Sequence, residues 1–259
     1  MEKEKLVTIK RYECDAKTAE EAKRQLVLCN RILAYEGALD GLGHVSIRNP
    51  ENPNTFFQSI SISPEFVTMD DIIEIDMDGK VLTPIEGKKA YGERILHARL
   101  MAVRPDINCV FHGHPLPLIP FSVCPEIPLL PVMNYGSIFY NGFSYYNCTD
   151  PSNGMVVYTA EEADLVAASF GEKWACLMRG HGATIGAENI PQLVLDVLLL
   201  IKNAQVQLDC LKIGGKPQVC TEEEGRSYRF VMHADLALGR CWNYYVSRVK
   251  KAMPDVVDL

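Results

Sequence analysis

The sequence predicts an α/β chain in which helices cover a mixed sheet. Capping boxes open helical patterns near both ends, at Thr18-Ala-Glu-Glu21 and Thr221-Glu-Glu-Glu224. Between residues 45 and 82 three β-branched or alternating runs follow one another, and Asp78-Gly79 is a strong hairpin signal. Beyond residue 92, short apolar strands alternate with helical segments. A hairpin-rich start followed by interleaved elements argues against an all-parallel sheet.

The first helix is expected from about Ala19 to Tyr35, because Leu26, Cys29, Ile32 and Leu33 recur at helical spacing, and Gly37 stops it. Val45-Ser-Ile-Arg48, Phe56-Phe-Gln-Ser-Ile-Ser-Ile62 and Ile72-Ile-Glu-Ile-Asp-Met77 read as strands of an antiparallel meander. A helix from about Gly92 to Val103 ends before Pro105, and Ile107-Asn-Cys-Val-Phe111 is a short buried strand running into His112-Gly-His114-Pro115. Residues 115–153, rich in Pro, Tyr, Asn and Ser, read as a long irregular stretch of the kind that is often functional. Glu161–Gly171 is a short helix, and Ala175–Met178 a strand leading into Arg179-Gly-His181-Gly-Ala. Asn189 caps a long helix, with Pro191 in its first turn and Gly214-Gly215 at its end. The C-terminal helical region carries Trp242, Tyr244 and Tyr245. With no Gly/Ser linker, repeat or composition break, residues 1–259 are expected to form one domain.

Composition narrows the functional classes. The 259 residues include 26 Lys+Arg against 33 Asp+Glu, a net charge of −7, with no basic run. That balance offers neither nucleic acid nor an anionic membrane an electrostatic footprint. The most apolar helical stretch, Val194–Ile201, falls well short of the roughly 20 residues a bilayer span needs. The N-terminal Met1–Leu6 is charged with both signs and lacks the pattern of a secretory signal, so a cytoplasmic location is expected. Nine scattered cysteines, from Cys14 to Cys241, include no Cys-x-x-Cys pair and read as reduced thiols, mostly core filler.

The chemistry concentrates on histidines. His112 and His114 leave a strand two residues apart, so in extended backbone both imidazoles lie on one face, near enough to converge on one cation, and Gly113 keeps the opposite face open. His181 stands between Gly180 and Gly182 after another strand, where the backbone can turn tightly and aim the ring into a pocket. Three neutral imidazoles suit a transition metal. A catalytic metal also needs a carboxylate, and Glu93, at the start of the helix feeding the His112 strand, is the candidate. His97 lies one turn further on the same face, where it would hydrogen-bond or orient Glu93. Each feature also has a purely structural reading: a common His-x-His, a turn histidine, a solvated helix cap, a packed ring. His233 is read as structural.

Taken together, Glu93-x-x-x-His97, Arg104-Pro-Asp106, Val110-Phe-His112-x-His114-Pro115 and Gly180-His181-Gly182 resemble the class II aldolase/adducin family over roughly residues 20–245. The resemblance implies a three-layer α/β/α domain with a mixed, largely antiparallel central sheet. It implies a divalent metal on His112, His114 and His181, with Glu93 as catalytic residue and resting-state ligand; Zn²⁺ or Mn²⁺ is the first expectation, and Fe²⁺ or Co²⁺ also suits such donors. It further implies a homotetramer with sites at subunit interfaces, where Tyr244 would serve a neighbour's site.

The sugar-phosphate aldolases of that family cradle the phosphate with Gly-Asn, a Thr-Ser-Gly-type turn and a Ser-Ser pair before the glutamate. Here those places read Gly43-His44, Ser61-Ile-Ser63-Pro64 and Tyr91-Gly92, so a phosphorylated sugar is a poor fit. These departures, with Arg179 before Gly-His-Gly and the Trp242 region, look like a subgroup that decarboxylates hydroxylated aromatic or pyridine dicarboxylates and carboxy-muconic semialdehydes. The expected activity is therefore a metal-dependent carbon–carbon lyase, decarboxylating a small hydroxy- or oxo-carboxylic acid through a metal-stabilised enolate. Glu93 and His97 would handle the proton, Arg179 would take a second carboxylate through its planar fork, and His44, Ser61 and Ser63 would line the pocket. Three alternatives stay open: an aldolase for unphosphorylated hydroxy-oxo compounds, a non-haem iron oxygenase, and a non-enzymatic adducin-like module.

Overall fold

The structure, a computed structural model, describes residues 15–148, 151–256 and 258–259. Cys14 and the Met1–Leu6 segment therefore lie outside the described residues. The elements in chain order are α1 (Ala19–Tyr35), β1 (His44–Arg48), β2 (Thr55–Ser59), β3 (Ile72–Asp76), α2 (Arg94–Val103) and β4 (Cys109–Gly113). There follow α3 (Ile119–Val123), α4 (Asn134–Ser137), β5 (Ser144–Tyr146), α5 (Ala160–Phe170), β6 (Ala175–Met178) and β7 (Gly182–Ala187). The chain ends with α6 (Ile190–Lys212), α7 (Glu222–Met232) and α8 (Asp235–Ala252).

The strands form one sheet in the order β3-β2-β1-β4-β7-β6-β5. Every neighbouring pair is antiparallel except β5 with β6. This is the mixed, largely antiparallel sheet that the resemblance implies. Alternate residues feed two cores, because successive strand side chains point to opposite faces. Val45, Ile47, Phe111 and Leu177 pack with Leu26 and Leu33 of α1 and Leu193 and Val197 of α6. Phe56, Ile75, Val110 and Met178 pack with Leu96 and Leu100 of α2 and Ala163 and Val166 of α5. The result is three layers, with α1, α6 and α8 on one side of the sheet and α2 and α5 on the other.

Local chemistry explains most helix ends. Thr18, Thr159 and Thr221 each close a capping box, and the Asn189 side chain accepts from Gln192 N–H at the start of α6. Four expectations shift. The stretch 115–153 holds α3, α4 and the edge strand β5, whose three residues are too few to show alternation. β7 lies where the sequence shows a turn-like run, because Gly182-Ala-Thr-Ile-Gly-Ala187 is rich in small residues. The Asp78-Gly79 turn leads from β3 into a single bridge, Ile75 with Val81, with no full return strand. Helix α2 begins at Arg94, so Glu93 is its N-cap residue and does not lie inside the first turn. No helix among the described residues is long and apolar enough to cross a membrane.

Candidate active site

Sheet register assembles the site. His44 at the start of β1 pairs with His112 near the end of β4, and His112 pairs with Thr184 on β7. These residues share the face of Val110, beneath α2 and α5, and form a polar row at one end of an otherwise apolar layer. His114 follows β4 directly, and His181 precedes β7. Gly180 adopts φ +62, the left-handed turn that swings His181 back toward β4. At Gly182 a Cβ would overlap the Gly113 carbonyl and stand 2.9 Å from His114 Cδ2, so the bare backbone is what lets the two histidine segments approach.

One ligand atom from each of His112, His114 and His181 lies within 4.8 Å of the others. Glu93 faces them from the N-terminus of α2. Its Oε2 is 3.5 Å from His112 Nε2 and 3.9 Å from His44 Nε2, and its Oε1 is 3.8 Å from His181 Nε2. Those separations exceed hydrogen-bond length. The carboxylate is instead fixed by Val157 N–H, which donates to Oε1 at 3.0 Å. Burial opposes the charge of Glu93, while the facing His112, His44 and His181, through positive charge when protonated and through a ring N–H from His44, hold the carboxyl well below its usual range. Burial pushes the pKa of His112 and of His114 below the ordinary histidine value, favouring neutral imidazoles.

The donor set fits a divalent cation. His112 Nε2 is buried with no hydrogen-bond partner, which is costly unless something else uses its lone pair. Its tautomer follows from its neighbours. The Thr184 hydroxyl donates to Met178 Sδ at 3.4 Å and lies 3.1 Å from His112 Nδ1. Its oxygen therefore accepts the Nδ1 proton and leaves Nε2 free to ligate, the usual second-layer arrangement behind a metal-binding histidine.

His97 departs from expectation. It is fully buried and hydrogen-bonds to His44 and Ser46, not to Glu93. Its Nε2 is 2.7 Å from His44 Nδ1, and its Nδ1 is 2.7 Å from the Ser46 hydroxyl. Gln58 Nε2 also approaches His44 Nδ1, at 3.5 Å. With His44 Nδ1 as the common acceptor, Ser46 donates to His97, His97 donates to His44, and the His44 Nε2 proton faces Glu93. The approach to Glu93 expected of His97 is thus made by His44, whose Nε2 lies 3.9 Å from Oε2 while His97 stands behind it.

A cavity of about 570 Å³ opens over this cluster, with His44, Ser61, Ser63, Glu93, His114 and His181 in its wall. Ser61 and Ser63 stand where expected. Arg179 does not line the cavity: it is exposed and its Nε donates to Asn147, so its neighbours Gly180 and His181 form the wall. Among the described residues, no lysine or arginine lines this cavity. Tyr244 is exposed on α8 beside Tyr245 and Arg248, away from the cavity of its own chain. His233, read as structural, is buried with Nε2 2.8 Å from Asp196 Oδ1. Sequence reasoning missed Thr184, the Val157 amide and Tyr158; none carries a motif, and only the sheet register and the approach of residues 154–158 to the site bring them in.

Residues 24–208 match the Class II Aldolase and Adducin N-terminal domain, and the chain belongs to that family. It is 29% identical over 206 residues to a 3,4-dihydroxyphthalate decarboxylase of Arthrobacter keyseri, covering 75% of this chain and 80% of that one. It is 26% identical over 195 residues to decarboxylase tropJ of Talaromyces stipitatus, covering 68% and 71%. Among solved structures, an L-fuculose 1-phosphate aldolase from Glaciozyma antarctica superposes with a TM-score of 0.76 at 22% identity, covering 93% of this chain and 94% of that one. That likeness is one of fold.

Proposed function

We propose that this chain is a divalent-metal-dependent carbon–carbon lyase that decarboxylates a small hydroxy- or oxo-carboxylic acid. The observation that carries the reading is the ring of imidazoles around Glu93 at the floor of an open cavity: His112, His181 and His44 at 3.5, 3.8 and 3.9 Å, with Val157 N–H fixing the carboxylate. The names of the Arthrobacter and Talaromyces relatives support decarboxylation over aldol cleavage. The absence of any cationic side chain from the described cavity wall supports an unphosphorylated substrate, since a phosphodianion would find no partner there beyond the metal.

His112, His114 and His181 would hold the cation, with Glu93 beside them; Zn²⁺ or Mn²⁺ is the first choice, and Fe²⁺ or Co²⁺ is compatible with the same donors. A cation held there would supply Lewis-acid stabilisation of negative charge on a substrate oxygen. Glu93, held ionised, takes a proton from the substrate hydroxyl and returns it to the carbon that keeps the electron pair when carbon dioxide leaves. His44 directs its Nε2 proton at Glu93, while His97 and Ser46 fix its tautomer from behind. Ser61 and Ser63 offer hydroxyls to the substrate carboxylate.

The test is a screen of hydroxy- and oxo-carboxylates with defined added metals, reading carbon dioxide release and oxygen uptake together. Carbon dioxide release without oxygen consumption is the expected result. Cleavage into two carbonyl fragments without carbon dioxide would replace it with an aldolase, and oxygen-dependent turnover requiring Fe²⁺ would replace it with an oxygenase.

A further inference from the structure

Residues 154–158, ahead of α5, pass over the site as a strap. Gly154, Met155, Val156 and Tyr158 line the cavity, and the buried Val157 between them donates its N–H to Glu93. Met155 holds φ +67, a left-handed backbone that a non-glycine residue rarely adopts, so the path of the strap is imposed by its surroundings. At its end the Tyr158 ring, 57% exposed, rests on the backbone of Gly92. A Cβ at position 92 would overlap Tyr158 Cε1 and stand 2.8 Å from its Cδ1. The ring sits where it does only because residue 92 has no side chain. In the wall of the same cavity Tyr91, whose hydroxyl donates to the Ile62 carbonyl, packs its ring 4.6 Å from that of His44, centroid to centroid.

We propose that Gly92 and Tyr158 form a specificity-determining pair: Gly92 seats the Tyr158 ring, and Tyr158 presents a flat face on which a planar, conjugated acid stacks beside Glu93. This deepens the lyase reading, and it rests on that reading for the identity of the reaction but not for the binding surface. An aromatic ring half open to a cavity is a large apolar plane with little conformational entropy to lose, and offset stacking adds to the burial of apolar surface. A puckered aliphatic acid of the same charge and size gains neither contact fully. The strap also couples recognition to chemistry, since the residue before Tyr158 anchors the carboxylate that moves the proton.

The experiment compares two inert probes, benzoate and cyclohexanecarboxylate, titrated calorimetrically into metal-loaded protein. They carry the same charge and differ in flatness. Wild type is expected to prefer benzoate. Tyr158→Ala should lower benzoate affinity about tenfold, or about 1.4 kcal/mol, while changing cyclohexanecarboxylate less than about twofold; Tyr158→Phe should keep the preference. Gly92→Ala should reproduce the loss by displacing the ring. In a Tyr158→Ala background the same Gly92→Ala change should have no further effect, because the clash it creates is gone. Equal weakening of both probes in Tyr158→Ala, or an undiminished Gly92→Ala effect in the double variant, overturns the proposal. If no carboxylate releases carbon dioxide yet the probe pattern holds, the reaction assignment fails while the stacking surface stands.

Discussion

Among the described residues, two groupings of histidine and carboxylate are built in opposite ways. Where α6 meets the end of α7, Asp196 and His233 form a closed pair at 2.8 Å, with Arg229 3.7 Å from the second carboxylate oxygen and its guanidinium 4.4 Å from the Trp174 ring. At the cavity floor, Glu93 meets imidazole nitrogens only at 3.5–3.9 Å, and a backbone amide fixes its position. The first arrangement commits one carboxylate oxygen to the His233 ring, leaves the other with only the 3.7 Å approach of Arg229, and ties two helices together. The second keeps lone pairs directed at a common point. The sequence gives the two histidine sets the same chemistry, and the geometry of the carboxylate separates a strut from a site.

The largest effect is expected from breaking the open grouping. His112→Ala or His181→Ala should lose bound metal and turnover together, with metal analysis of natively purified protein falling to background. Glu93→Gln keeps the size of the side chain and removes its basicity. Metal should stay largely bound while kcat falls by about 10²–10⁴, the usual worth of a positioned proton-transfer group. Full turnover in Glu93→Gln would remove it from the chemistry.

The closed pair predicts the reverse pattern. His233→Ala leaves the fully buried Asp196 carboxylate with only the 3.7 Å approach of Arg229, at a cost of about 3 kcal/mol. Urea denaturation should show a lower midpoint with an unchanged slope, and the metal content of the folded protein should match wild type. Loss of metal in this variant would erase the distinction between the two groupings.

The legibility of the site follows the range of the interactions that build it. His112 and His114 were readable because strand geometry alone places side chains two residues apart on one face. His181 was readable from its flanking glycines, and the helices from caps at Thr18, Asn189 and Thr221. The His44–His97 contact joins residues 53 apart and depends on how α2 crosses β1, which no local pattern encodes. His97 differs from expectation for the same reason: its hydrogen-bond partners, His44 and Ser46, lie on β1, more than fifty residues away in sequence. The fork of Arg179 invited a carboxylate on chemical grounds, but the turn at Gly180 leaves the arginine outside the cavity with Asn147.

The smallest expected effect tests how the open grouping is kept ready. Thr184 touches neither the cavity nor Glu93; it is fully buried, and its hydroxyl oxygen accepts the Nδ1 proton of His112 while its own proton points at Met178 sulfur. Thr184→Val preserves shape and removes that acceptor. The His112 ring then has no partner fixing its tautomer, and half of its neutral forms present a protonated Nε2 to the ion. Metal affinity, measured by competition with a chromophoric chelator, should weaken by about 10–100-fold, with kcat at saturating metal nearly unchanged. Such a split would separate the residue that orients a ligand from those that bind or react. An unchanged affinity would mean that β-sheet packing alone sets the ring, and that the hydrogen bond on its far side contributes nothing to the contrast with Asp196 and His233.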